Sequence, residues 1–206
     1  NMPVSVSSEI LPEFREYERT LVTVMNAYVR PAMRNYLANF EAKLGELHFK
    51  PTVNIVRSDG GLMSVQRAAD SPVYTMLSGP AGGVSGAAFV SGLAGHPNAL
   101  GFDMGGTSTD VSLIQNGEPT ISRQTSLGYY PIKIPSVEVH SVGAGGGSIA
   151  HVPMTGALRV GPQSAGAMPG PACYGHGGGE PTVTDANVVL GRLPPSLLGG
   201  EMSLDV

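Results

Sequence analysis

The residues best suited to chemistry lie in one stretch, 99–115, which reads A-L-G-F-D-M-G-G-T-S-T-D-V-S-L-I-Q. Two short apolar runs flank a tight turn there, which predicts a pair of strands. Glycine backbone can direct N–H groups at an anion, and hydroxyl groups add donors. Carboxylates suit a cation that accompanies the anion, as Mg²⁺ accompanies nucleotide phosphates. The chemical groups are Asp103, Gly105, Gly106, Thr107, Ser108, Thr109 and Asp110.

This pattern predicts a phosphate site with a bound metal ion. The same residue types are also common in a polar hairpin that is stabilised by an Asx turn. Composition alone leaves both interpretations open.

The segments before the hairpin predict helices and short strands. Apolar residues recur at three- and four-residue steps over residues 13–44, which predicts a long amphipathic helix that Pro31 should kink or split. The preceding residues 1–11 read as an irregular lead-in. Short apolar runs predict strands at 52–56 and 73–77, and a Gly/Ala-rich helix is predicted at 81–92.

The segments after the hairpin are richer in turns. Asn116-Gly117 predicts a tight turn that folds residues 119–123 back as a third antiparallel strand. Pro131 and Pro135 predict an irregular or edge segment at 129–134, because proline cannot donate to a strand ladder. Further predictions are a strand at 136–142, a hairpin at 149–152 and 157–160, a Gly/Pro-rich loop at 161–179, and a helix at 186–190 capped by Thr184-Asp185.

Composition limits the possible partners. The 206 residues have a formal net charge of −4 and no Lys/Arg run, which argues against nucleic acid and anionic membranes. Proline and polar residues interrupt the uncharged segment 71–102, so no transmembrane helix is predicted. The single cysteine, Cys173, cannot form an intramolecular disulfide, and we expect a cytoplasmic protein.

Several common site motifs are excluded. No G-x-x-x-x-G-K-[ST] or G-x-S-x-G occurs, which excludes a P-loop and a hydrolase nucleophile elbow. Residues 143–148 match the dinucleotide-binding pattern G-x-G-x-x-G except at the last position, which is Ser148. A strand rather than a helix is predicted after them, which argues against a Rossmann site. The five histidines are scattered, and His176 in the Gly/Pro-rich loop is the best placed of them for a site. Cys173 is either a nucleophile or a packed thiol, and the packed thiol is favoured.

Six motifs then resemble one family in the same order along the chain. They are L-S-G-P-A-G-G at 77–83, F-D-M-G-G-T-S-T-D-V at 102–111, G-A-G-G-G-S at 143–148, the runs at 161–167 and 169–175, and T-V-T-D-A-N at 182–187. Together they resemble the ATP-dependent hydantoinase A/5-oxoprolinase family, which includes N-methylhydantoinase A subunits, 5-oxoprolinases and the β subunit of acetone carboxylase. The resemblance covers essentially the whole chain.

The resemblance implies an α/β fold, namely a ribonuclease-H-like lobe of an actin/Hsp70-like ATPase fold, with a mixed sheet, antiparallel hairpins and flanking helices. We expect residues 1–50 to form the lead-in and long helix, and residues 51–206 to form the phosphate-binding lobe. The implied activity is ATP-dependent hydrolysis of a cyclic amide, in which a ring amide oxygen is phosphorylated so that water can open the ring.

The resemblance also implies roles for particular residues, with ATP and Mg²⁺ as cofactors. Asp103 and Asp110 would be catalytic and would hold Mg²⁺, directly or through water. Gly105, Gly106, Thr107 and Ser108 would bind phosphate. Gly145 and Gly146 in the 143–148 loop, together with Asp185, are weaker expectations for lining the same cleft. His176 is a further weak candidate, on its position in the Gly/Pro-rich loop alone.

The sequence departs from the family at both ends. Whole members have an earlier D-x-G-G-T-type phosphate loop and a later Gly-Gly-Ala-Gly adenosine loop, and this sequence contains neither. We therefore expect a central fragment that is inactive alone, and a hydantoinase B-type subunit as partner. The alternatives are an acetone-carboxylase-type subunit and a non-catalytic nucleotide-binding or structural subunit.

Overall fold

The computed structural model describes residues 4–48, 52–154 and 156–206, and only the backbone of Leu127. The helices are α1 (Ser7–Ile10), α2 (Glu16–Glu46), α3 (Val65–Asp70), α4 (Ser78–Leu93) and α5 (Val183–Val189), with 3₁₀ turns at Pro72–Thr75, Ala172–Tyr174 and Leu198–Gly200. The strands are β1 (Asn54–Val56), β2 (Leu62–Ser64), β3 (Ala99–Met104), β4 (Thr109–Gln115), β5 (Glu118–Pro119), β6 (Ile121–Ser122), β7 (Thr125–Leu127), β8 (Tyr130–Ile132), β9 (Ser136–Val137), β10 (Val139–Val142), β11 (Ser148–His151), β12 (Arg159–Ser164), β13 (Ser196–Leu197) and β14 (Met202–Ser203).

The chain forms two compact units, and the β3–β4 hairpin passes from one to the other. The first unit comprises residues 1–99 and 113–138, and the second comprises residues 100–112 and 139–206. We call them the helical unit and the glycine-loop unit. The predicted domain division near residue 50 stays a prediction.

The core of the helical unit forms where α1, α2 and the Pro72–Thr75 turn meet strand β8. Val22, Val73, Ile132 and Ile134 are fully buried there. Asn26 is also fully buried. Its amide donates to the carbonyl of Asp70 at 3.2 Å, and its oxygen accepts from the N–H of Val73 at 3.3 Å, so the polar group joins α2 to the following segment.

One ion-pair network holds α2 against the end of α3. Arg30 and Arg34 both contact Oδ1 of Asp70, at 2.8 and 2.5 Å, and Gln66 donates to Oδ2 at 2.7 Å. These hydrogen bonds, first from Gln66 and then from the two arginines, hold the pKa of Asp70 well below its usual range. Because Arg30 is largely buried, the network stabilises the α2–α3 contact.

The helical unit differs from the sequence predictions in several places. Helix α2 continues through Pro31 without a break, so the predicted split is wrong. The strand predicted at 73–77 is also wrong, because Pro72 begins a 3₁₀ turn in which the Thr75 hydroxyl donates to the Pro72 carbonyl. Residues 129–134, by contrast, agree with the predicted edge segment, because they include β8, which pairs with β7 in a two-stranded sheet. Helix α1, strand β2 and helix α3 were not predicted; residues 1–3 of the lead-in lie outside the described residues.

Other predictions for the helical unit are confirmed. Helix α4 and strand β1 form where expected, and Asn116 and Gly117 both adopt positive φ, at 54° and 82°, as a tight hairpin turn requires. The predicted third strand forms in two pieces, because β5 pairs with β4 whereas β6 pairs with β9.

The glycine-loop unit contains a sheet in the order β10-β4-β3 and the antiparallel hairpin β11–β12. Helix α5 starts three residues earlier than predicted, because Thr182 is its N-cap and forms a reciprocal capping box with Asp185. A small apolar cluster of Cys173, Val188 and Leu204 supports α5. No described helix in either unit is both long and apolar enough to cross a membrane.

Candidate functional site

The predicted phosphate turn is the four-residue segment 105–108 between β3 and β4. The N–H of Gly105 donates to the carbonyl of Ser108 at 2.9 Å and closes it. Residues 102–108 are exposed, so the turn is accessible to a ligand.

A regular antiparallel ladder between β3 and β4 would align the two carboxylates on one face. A ladder continued from the Gly105–Ser108 hydrogen bond places Asp103 opposite Asp110, and β10 places Ser141 opposite Asp110. Directly opposite side chains share a face, with Cβ atoms about 4.5–5.5 Å apart. The Ser141 hydroxyl donates to Oδ1 of Asp110 at 2.5 Å. Like charges placed opposite one another repel, and a shared cation would relieve that repulsion.

The second glycine loop, 143–148, packs directly on the turn. The N–H groups of Gly146 and Gly147 donate to the carbonyls of Gly105 and Gly106, at 2.9 and 2.7 Å. A Cβ at Gly145 would lie 2.6 Å from the backbone nitrogen of Thr107 and 2.7 Å from the Gly105 oxygen. Only glycine fits at position 145, and the two loops therefore form one backbone structure.

Helix α5 and the loop after β12 attach to this structure. The backbone N–H and the hydroxyl of Thr184 both donate to the carbonyl of Gly146, at 2.8 and 2.9 Å. The N–H of Ala165 donates to the carbonyl of Gly147 at 2.8 Å. Four segments that are distant in sequence thus meet at the turn.

These segments enclose a pocket of about 500 Å³. That volume is within the range of small-molecule sites. No charged side chain lines it. Its lining residues are 105–107, 146–147, 166–167, Pro171, Tyr174 and Thr184.

The turn fits a phosphate group because its glycines are not required by the surrounding protein. A Cβ at Gly106 would meet nothing within 4 Å, and one at Gly105 would meet only the Ser108 oxygen at an ordinary 3.6 Å. Neither residue has a positive φ. Because these glycines have no side chains, their backbone is accessible to a ligand, as it is in phosphate-binding turns.

The donor set near the turn also fits Mg²⁺. This ion is commonly held by one or two carboxylates together with waters and phosphate oxygens, and Asp103 and Asp110 supply two carboxylates. In the described part of the chain, three or more His, Cys, Asp or Glu side chains do not gather into a metal site.

Comparison with known proteins identifies the family. A family model described as hydantoinase/oxoprolinase matches residues 19–206. The chain belongs to the hydantoinase/oxoprolinase family.

One curated relative and two solved structures illustrate the match to this family. Caprolactamase subunit alpha from Pseudomonas jessenii is 43% identical over 198 residues, which cover 96% of this chain and 28% of the relative. The crystal structure of ATP-dependent caprolactamase from Pseudomonas jessenii has a TM-score of 0.79 at 40% identity, covering 98% of this chain and 29% of that chain. A nucleotide-free acetone carboxylase structure, from work on ATP-dependent acetone carboxylation, has a TM-score of 0.78 at 35% identity, covering 97% and 28%.

The chain spans about a third or less of the length of the curated relatives it matches. These likenesses confirm the predicted fold class, a mixed α/β structure with antiparallel hairpins that has the ATPase-like fold of the hydantoinase/oxoprolinase enzymes.

The structure brings most of the predicted site residues of this family member together. Gly105, Gly106, Thr107 and Gly146 line the pocket. Gly145 packs beneath the turn, and the carbonyl of Ser108 closes it. Their roles in binding remain predictions.

Two weaker candidates lie elsewhere. His176 is exposed, with its ring edge towards Tyr174 at a centroid distance of 6.5 Å. Asp185 lies in a second pocket, of about 370 Å³, together with Cys173. Its carboxylate accepts hydrogen bonds from the N–H groups of Cys173 and Thr182, both at 2.8 Å. Burial opposes ionisation of Asp185, but these hydrogen bonds outweigh it and lower its pKa.

The structure supports the packed-thiol interpretation of Cys173. Its side chain is buried. Burial, followed by the hydrogen bond to the Asp185 carboxylate, raises the pKa of the thiol to about 11.

Several lining residues of the pocket were not among the predicted site residues, including the polar side chains of Tyr174 and Thr184. The sequence Thr182-x-x-Asp185 is a capping-box signal. The predicted cap of Thr184-Asp185 includes the correct carboxylate, but because Thr182 is the N-cap, Thr184 lies in the first turn of α5. No comparable signal marks Tyr174.

Proposed function

We propose that this chain contributes the phosphate-binding part of an ATP-dependent enzyme that opens cyclic amides. The observation that supports this most directly is the open glycine turn at Gly105 and Gly106, braced by the 143–148 loop and bordered by two aligned carboxylates. Such a turn can hold phosphate without a lysine, because backbone N–H groups supply the donors.

Each group then has a defined role in phosphoryl transfer. The backbone at residues 106–108 orients the transferred phosphoryl group, because the N–H of Gly105 is already bound to the Ser108 carbonyl. The carboxylates of Asp103 and Asp110 hold Mg²⁺ or its bound waters, and Ser141 fixes the orientation of Asp110. Bound Mg²⁺ supplies neutralisation of the charge on the phosphoryl group. Transfer of the γ-phosphoryl group of ATP to the ring amide oxygen releases ADP and makes the ring carbon more reactive towards water. When water attacks, the C–N bond breaks and the nitrogen takes up a proton, and hydrolysis of the resulting acyl phosphate releases phosphate and the open-chain acid.

The choice of a cyclic amide follows from the family and from the caprolactamase relative. The likeness to acetone carboxylase supports a second candidate, an ATP-dependent carboxylase subunit. A structural subunit without turnover is less favoured, because two carboxylates placed together are costly to keep without a cation. Since the caprolactamase relative is named as an alpha subunit, we further propose a hydantoinase B-type partner subunit.

Product analysis tests this proposal. The full-length protein and its neighbouring subunit would be incubated with Mg-ATP and a panel of lactams, hydantoins, 5-oxoproline, and ketones with bicarbonate. ADP formed only with a cyclic amide would support the hydrolase. AMP formed with ketone and bicarbonate would favour the carboxylase, and the absence of turnover with every compound would contradict both.

The variant Asp103→Asn tests the role of the carboxylates. We expect turnover to fall by about 10²–10³-fold, which is typical for loss of one group that stabilises the transition state. Folding should be retained, because Asp103 is exposed. Glu118→Gln, an exposed carboxylate on β5, is the matched control. Unchanged turnover in Asp103→Asn would remove this residue from the mechanism.

A further inference from the structure

The pocket that contains the phosphate turn has a second wall, formed by Gly166, Ala167, Pro171, Tyr174 and Thr184. Phosphate binding at residues 106–108 does not use this wall. It combines one aromatic ring, one hydroxyl group and apolar surface, with no charged side chain. Such a surface suits an uncharged, planar group.

The position of Tyr174 in this wall is fixed by its backbone. The residue ends the Ala172–Tyr174 turn, and its N–H donates to the carbonyl of Pro171 at 3.1 Å. Its ring packs on Gly170, where an added Cβ would lie 3.0 Å from Cδ2 of the ring. The N–H of Cys173 is anchored to the carboxylate of Asp185. A half-buried ring held in this way is a preorganised contact surface.

Thr184 places a polar group in the same wall. Its hydroxyl donates to the carbonyl of Gly146 at 2.9 Å. Because the proton is used in that bond, a lone pair of the oxygen remains to accept a hydrogen bond from a ligand. An amide N–H is such a donor.

We propose that Tyr174 and Thr184 bind the ring of an uncharged cyclic amide, with Tyr174 as a specificity-determining residue against the ring and Thr184 accepting from the ring N–H. The inference rests on the proposed function, because phosphoryl transfer requires the amide oxygen within about 3–3.5 Å of the phosphorus, and therefore in the same cavity as the turn. Since this wall offers no cation to a carboxylate, simple lactams and hydantoins are preferred over 5-oxoproline.

The test uses the full-length protein with its partner subunit. Tyr174→Ala should raise KM for a lactam at least tenfold and leave KM for ATP within twofold. Tyr174→Phe should stay close to the wild type, because the ring is retained. Leu193→Ala is the matched control, because Leu193 packs on the same cluster of Cys173, Val188 and Leu204 but does not line the pocket. If Tyr174→Ala does not fold, Tyr174→Leu is used in its place, because leucine removes the aromatic ring but keeps apolar volume in the cluster.

Thr184 is tested with a pair of ligands. Thr184→Val should weaken the binding of a lactam with a free N–H but not the binding of its N-methyl derivative. Thr184→Ser, which keeps the hydroxyl group, should restore the binding of the lactam with a free N–H. An equal effect on both ligands would remove the hydrogen bond from the proposal.

Binding is measured separately from activity by saturation-transfer NMR, with a lactam and a non-hydrolysable ATP analogue. If the wild type binds lactam through Tyr174 but does not turn it over, the proposed function fails and this inference stands. Three results would overturn the inference: no lactam binding by the wild type, equal binding by the wild type and Tyr174→Ala, or a raised KM for ATP in Tyr174→Ala. Preference for 5-oxoproline would overturn the assignment of an uncharged substrate.

Discussion

The contact between the two glycine loops can be tested by adding one methyl group at Gly145. In Gly145→Ala the new Cβ would lie 2.6 Å from the Thr107 nitrogen, 2.7 Å from the Gly105 oxygen and 2.7 Å from the Gly106 carbonyl carbon. All three are backbone atoms, so no side-chain rotation can relieve the overlap. Overpacking of this kind costs about 1–3 kcal/mol.

The methyl group should also separate the loops. The hydrogen bonds from Gly146 and Gly147 to Gly105 and Gly106, at 2.9 and 2.7 Å, depend on this close approach. We therefore expect Gly145→Ala to lower the free energy of unfolding by about 1–3 kcal/mol, which is about 2–4 °C in Tm for each kcal/mol in a chain of this size. Nucleotide binding should weaken as well, because the turn moves.

Gly106→Ala is the matched control, because its Cβ would meet no protein atom within 4 Å. Its unfolding free energy should stay within about 0.5 kcal/mol of the wild type, while nucleotide binding weakens because the methyl group occupies ligand space. Urea denaturation measures stability, and titration with a fluorescent ATP analogue measures binding. Wild-type stability in Gly145→Ala would refute the packing argument, and wild-type nucleotide affinity in Gly106→Ala would refute the phosphate assignment.

Two further predictions concern ionisable groups. Asp70→Asn should cost about 1–3 kcal/mol at pH 7, because the largely buried Arg30 loses its charged partner. The folded state lowers the pKa of Asp70 from 3.8, so its stabilisation is present above about pH 4 and is lost as the pH falls towards the folded-state value. Urea denaturation from pH 7 to 3 should show the gap between wild type and variant constant above pH 4 and narrowing below it, and a constant gap over the whole range would contradict this. Cys173, whose pKa is raised to about 11, should react slowly with iodoacetamide at pH 8 in the folded protein and quickly in urea; equal rates followed by mass spectrometry would contradict its burial.

Local signals in the sequence were sufficient for the hairpin and for α4. Asn116-Gly117 predicts the turn that the structure has, because both positions need positive φ and these residue types tolerate it. The strand prediction at 73–77 is wrong because the periodicity of a short apolar run does not distinguish a strand from a buried turn. Pro72, at the first position of the 3₁₀ turn, was the available signal against a strand.

The candidate site could be predicted only in part, for a physical reason. The 105–108 turn forms from adjacent residues, so its glycines and hydroxyls identify it. Thr184 reaches the same pocket through hydrogen bonds to the distant Gly146. Tyr174 reaches it through a local turn that Asp185 anchors at the N–H of Cys173. Contacts of that kind depend on how loops close in space, and residue types in one loop do not specify them.

The alternation of side chains along β3 has a consequence for how this site can change. Leu100, Phe102 and Met104 alternate with Asp103 along the strand, and these three apolar side chains are exposed on the other face. A slip of one residue would therefore exchange the carboxylate in the Asp110 row for an apolar side chain. The N–H groups of Gly146 and Gly147 donate to the carbonyls of Gly105 and Gly106 and hold the residues that follow β3 in place. Single substitutions near the turn should therefore reduce the function of the site by degrees. Insertion or deletion of a single residue in β3 should instead abolish the site in one step.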